Sequence, residues 1–64
     1  MSRNHEDEYS YHFLIEFEDG QKLTESIDSR YKNIAEEAYA MGQVCMIYQD
    51  ASNVTLERVG RNYA

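Results

Sequence analysis

From Tyr11 to Phe17 the side chains alternate without a break: Tyr11, Phe13, Ile15 and Phe17 fall on one side of an extended chain, and His12, Leu14 and Glu16 on the other. A period of two with this contrast predicts a strand that buries one face. Asp19-Gly20 follows as a turn, and the side-chain faces decide which turn it is. A two-residue Asp-Gly loop sets Ile15 opposite Thr24 and Glu16 opposite Leu23, which turns the apolar residues of the next strand away from the core. A three-residue loop of Glu18, Asp19 and Gly20, with Gly20 left-handed, sets Ile15 opposite Leu23, Tyr11 opposite Ile27 and Glu16 opposite Lys22. Apolar and opposite-charge pairs then coincide, so the expectation is a bulged hairpin with a second strand over Gln21 to Ile27.

Asp28 and Ser29 each carry an oxygen able to cap a helix starting near Arg30. Ile34, Ala38, Met41, Cys45 and Tyr48 recur at spacings of four and three, with Tyr31 and Ala35 beside them, and predict the stripe that faces the sheet. Gly42 leaves an alternative, in which the helix stops and Gln43 to Gln49 forms a fourth strand. That strand would be apolar at every position from Val44 to Tyr48 and would need cover on both faces, whereas an interior helical glycine costs only about 1 kcal/mol. One helix to about Gln49 is the reading preferred here. Asp50 to Asn53 is a turn, and Val54 to Val59 is the last strand, ended by Gly60. Val54 and Leu56 are expected on one face, and Thr55, Glu57 and Val59 on the other.

The sum is an α+β domain, β-β-α-β, with a three-stranded antiparallel sheet in the order 2-1-3 and one helix on one face; the alternative is β-β-α-β-β. Residues 1–8, with Glu6-Asp7-Glu8, read as a flexible acidic tail, and residues 9–64 as the single domain. At 64 residues there is room for one core. Cys45 is the only cysteine, which rules out an intrachain disulfide, and with His5 and His12 it makes no recognised metal spacing. A small buried thiol is the expectation for Cys45. The longest apolar run is far short of the ~20 residues of a membrane span, which together with the polar N-terminus points to the cytoplasm. Twelve acids against six bases give a net charge of −6, unfavourable for direct binding of nucleic acid or anionic membrane.

No glycine-rich phosphate loop, nucleophile elbow, Cys-x-x-Cys or His-Glu-x-x-His occurs, so no catalytic residue, metal or cofactor is expected. His12, placed beside Ser26, reads as a strand histidine rather than a base. What remains is surface. One helix covers one face of the sheet, and the bare face is expected to carry His12, Leu14, Thr55, Glu57 and Val59, as a contact patch or as a homodimer interface around Leu14 and Val59. Arg58 and Arg61 form a basic pair in an acidic chain, and tyrosine and arginine are enriched at binding hot spots.

The aromatic strand Tyr11 to Phe17, the helix segment Ile34-Ala35-Glu36-Glu37-Ala38 and the closing Val54-Thr55-Leu56-Glu57-Arg58-Val59 resemble, in order and length, the small inhibitors of host RNA polymerase made by T7-type phages. The likeness covers about Tyr11 to Arg61. It implies a non-enzymatic inhibitor of a host protein machine, RNA polymerase first, acting in the host cytoplasm with Arg58 and Arg61 as contact residues. This chain departs in its longer helix, its acidic tail and Gly60 between the two positions. The competing expectation is an acidic imitation of nucleic acid, as in anti-restriction and anti-CRISPR proteins, built from carboxylates such as Glu16, Glu18, Asp19, Glu25, Asp28, Glu36 and Glu37.

Overall fold

In the computed structural model, which describes residues 8–61, the hairpin is the one that side-chain pairing predicts. Strands β1 (Tyr9–Glu16) and β2 (Lys22–Ser29) run antiparallel, with Ile15 opposite Leu23, Tyr11 opposite Ile27 and Glu16 opposite Lys22. The Phe17 N–H donates to the Gln21 carbonyl at 2.9 Å, closing the three-residue loop, and Gly20 has φ 91°. A Cβ on Gly20 would meet nothing within 4 Å, so the demand for glycine comes from the backbone alone. Gly20→Ala is expected to lose roughly 1–2 kcal/mol of stability in a urea titration, the penalty of a left-handed non-glycine residue.

β2 continues to Ser29 rather than ending at Ile27, so neither Asp28 nor Ser29 caps the helix. The helix, α1 (Ile34–Ile47), is capped by Asn33, whose Oδ1 accepts from the Glu36 N–H at 2.7 Å. Four bonds hold the connection in between, one of them from the Tyr31 N–H to Ser29 Oγ at 3.2 Å. The Tyr11 hydroxyl donates to the Tyr31 carbonyl (2.8 Å) and accepts from the Asn33 N–H (3.3 Å), while the Ser29 hydroxyl donates to Glu36. The chain needs these four residues after β2 to leave the sheet edge and turn over its face. Gly42 lies inside the helix, so the fourth-strand alternative does not arise.

β3 (Asn53–Arg61) pairs antiparallel with β1, giving the sheet order β2-β1-β3. It runs through Gly60 instead of stopping there, and it contains a bulge: Tyr11 faces Val59 and His12 faces Arg58, but Phe13 faces Leu56. Glu57 is the extra residue. One inserted residue reverses the alternation beyond it, so Val59 joins Val54 and Leu56 against the core rather than lying on the bare face.

Tyr11, Phe13, Ile15, Ala40 and Val44 are the buried hydrophobic residues. The helix meets the sheet through Ala40, Val44, Met41 and Tyr48, a face rotated from the expected stripe, and Ile34, Ala38 and Cys45 point to solvent. The bulky side chains Tyr11, Phe13 and Ile15 already fill the space above the sheet, so the short side chains of Ala40 and Val44 are what let α1 approach. Cys45 is accordingly exposed, not a buried thiol.

At its far end the helix is tied to β2: the Tyr48 hydroxyl donates to Glu25 Oε1 at 2.7 Å, and the Tyr48 ring packs edge-on to Phe17. That bond to Glu25, reinforced by desolvation and by the Glu25 charge, raises the Tyr48 phenol above its ordinary value. A raised folded-state pKa means the contribution is complete below the ordinary phenol range and is lost as pH climbs through the folded value. Tyr48→Phe should therefore lower the melting temperature at neutral pH and flatten the wild-type loss of stability in strong alkali, as followed by thermal melts across that range.

Candidate protein-binding face

The sheet face opposite α1 is a grid set by the strand registers. Its rows, read from β2 through β1 to β3, are Asp28-Ser10-Gly60, Ser26-His12-Arg58, Thr24-Leu14-Thr55 and Lys22-Glu16-Asn53. Hydrogen bonds fix most of it. The Ser10 hydroxyl donates to Asp28 at 2.6 Å, Ser26 Oγ and His12 Nδ1 are 2.9 Å apart, and Asn53 Nδ2 donates to Glu16 (3.2 Å) and to Thr55 (3.1 Å). Lys22 reaches Glu16 at 3.6 Å, partly neutralising the acid at that end.

Arg58 is exposed and has no ion pair among the described residues. The bulge at Glu57 is what brings it to this face, directly across from His12. Its guanidinium lies over Gly60: a Cβ built there would sit 2.9 Å from Arg58 Nη1 and 3.6 Å from His12 Nε2. Gly60 is thus the missing side chain that lets the Arg58 guanidinium rest along the sheet. Gly60→Ala is expected to leave the fold intact, since only the end of a flexible side chain must move, and to weaken partner binding severalfold in a pull-down titration.

Of the six residues singled out as contacts, the structure assembles three on this face. Arg58, His12 and Leu14 lie together, and Glu57 sits at the bulge beside Arg58. Val59 faces the core. Arg61 lies opposite Tyr9, with its guanidinium carbon 5.4 Å from that ring's centroid, on the other side of β3 from Arg58. The two arginines are therefore not one basic patch. A homodimer around Leu14 and Val59 likewise loses one of its two members. Ser26, placed beside His12 by the expected register, and Thr24 complete the rows on β2.

No family model, curated protein or solved structure matches the chain. Chemistry has to be read from the geometry alone. The Ser26–His12 pair has the atoms of a nucleophile and a base, yet it lies on an open sheet face, and Nε2 looks toward Gly60 and Arg58 rather than a carboxylate that would orient the ring. A hollow of about 410 Å³ at the hairpin end is lined by Phe17, Glu18, Asp19, Gln21, Leu23 and Asp50, three of them acids. Among the described residues no group of three or more His, Cys, Asp or Glu side chains is placed to hold a metal ion. No helix there is long and apolar enough to cross a membrane.

Proposed function

We propose that this chain is a small non-enzymatic inhibitor, phage- or prophage-encoded, that docks its helix-free sheet face on a host protein. The observation that carries the reading is Arg58: an arginine without a carboxylate partner among the described residues, laid over Gly60 beside His12 at the middle of a pre-organised polar face. Arginine in this setting offers a planar fork of donors suited to a carboxylate on the partner. Leu14 supplies apolar area next to it, and the hydrogen-bonded rows hold the surrounding side chains in place before binding, which limits the ordering entropy lost on association. RNA polymerase is the first candidate, on the resemblance of the strand and helix segments to the small phage inhibitors of that enzyme.

The acids do not gather as a phosphate-like array. Glu16 and Asp28 are on the open sheet face, Glu25 is on the helix side, Glu18 and Asp19 are in the hairpin loop, and Glu36 and Glu37 are in the first turn of α1. That spread favours a protein-binding face over imitation of nucleic acid. Capture from bacterial lysate with the tagged chain, read by mass spectrometry, tests the proposal. A stoichiometric host protein is expected, with polymerase subunits foremost, and recovery of none would overturn it.

A further inference from the structure

The sheet covers one side of α1, and the opposite side is left bare. At 100° per residue, Ile34, Ala35, Ala38, Tyr39, Gly42, Cys45 and Met46 share the outward side, and all seven are exposed. Ile34 is 82% and Met46 72% exposed, values unusual for large apolar side chains gathered on one helix. The charges of this helix, Glu36 and Glu37, are confined to its first turn and fall outside that side at 100° per residue. No charged residue occurs from Ala38 to Gln49, although the chain as a whole carries −6.

We infer that a second copy of this chain docks on that outward face, helix against antiparallel helix. Charge selects the occupant. Two copies of a chain at −6 repel through any surface bearing carboxylates, and the neutral face of α1 lets them meet without bringing like charges together.

The direction follows from the ends. Lys32 stands just ahead of α1, while the last turn has no basic side chain of its own to balance its carbonyls and is followed by Asp50. Antiparallel pairing sets Lys32 of each copy beside the other's last turn, whereas parallel pairing sets like ends together. With the two-fold axis between Ala38 and Gly42, those small residues face each other across the centre and permit close approach. Ile34 then packs against Met46 of the second copy, and Ala35 lies beside its Cys45. The two open sheet faces point away from the junction, so the dimer would present Arg58 twice.

Sedimentation equilibrium of the full chain under reducing conditions, from micromolar to millimolar concentration, tests this. The mass should rise from 7.5 kDa toward twice that value. Ala38→Glu places a charge at the centre beside its own copy and should weaken the dimer tenfold or more. Glutamate is a good helix former at this exposed position, so an unchanged far-UV spectrum should confirm folding. Met46→Ser should weaken the dimer without adding charge, and Arg58→Ala should leave it unchanged. Under a thiol oxidant, Ala35→Cys should crosslink to Cys45 of the second copy. Wild type should not, because antiparallel Cys45 residues lie about 15 Å apart along the axis. A wild-type monomer at millimolar concentration overturns the inference. So does a dimer indifferent to both Ala38→Glu and Met46→Ser, or a covalent dimer formed by wild type rather than by Ala35→Cys.

Discussion

Phe13→Ala is expected to leave most of the chain unfolded at room temperature. Phe13 has no exposed surface and sits in the middle of β1, the strand hydrogen-bonded on both sides. Truncating a buried phenylalanine removes about 3–5 kcal/mol, through lost transfer energy and the cavity that remains. The usual stability of about 0.05–0.15 kcal/mol per residue gives a chain of this length only about 3–10 kcal/mol in total. Few other buried side chains exist to absorb the loss, and the surrounding Tyr11, Ile15 and Val44 cannot collapse inward without pulling α1 off its anchors at Tyr48 and Asn33. Urea titration with far-UV detection should show a native baseline that is short or absent. Ile34→Ala, an apolar truncation on the exposed side of α1, should stay within about 0.5 kcal/mol of wild type. If the two truncations were equally damaging, the helix would have to face the other way.

Arg58→Ala is expected to separate binding from folding. The side chain is exposed and has no ion pair among the described residues, so its removal should change stability by no more than about 0.5 kcal/mol. At a partner surface the same change removes the one positive group in the middle row and leaves a partner carboxylate without its donor. Losses of about 2 kcal/mol or more are usual for a central arginine, which is roughly a 30-fold rise in Kd. Since Arg61 sits on the other side of β3, Arg61→Ala should not reproduce the effect.

The hairpin was legible because two independent constraints, apolar pairing and charge pairing, demanded the same loop. The sheet order followed from the central position that so apolar a first strand requires. The rotation of α1 was not legible, because the helix has two apolar sides. Ala40 and Val44 make a stripe as regular as Ile34, Ala38 and Cys45, and only the volume already filled by Tyr11 and Phe13 chooses between them. The bulge left a trace that strict alternation ignores: Val54, Leu56 and Val59 are spaced by two and then three. Reading that slip places Val59 inside and Arg58 outside, which is the difference between a basic pair and a single arginine on the open face. The Asn33 cap was obscured because Asp28 and Ser29 offer equally good capping chemistry earlier in the chain. The Tyr11 hydroxyl, which holds the connection shut, is a tertiary contact with no local signature.

The most direct measurement is an equilibrium titration of purified bacterial RNA polymerase with wild type and with Arg58→Ala. Stoichiometric binding by wild type, weakened roughly 30-fold in the variant while both melt at the same temperature, is the expected result. Wild-type binding that the Arg58 substitution leaves unchanged would contradict the assignment of the open sheet face, and no binding by wild type would contradict the choice of polymerase.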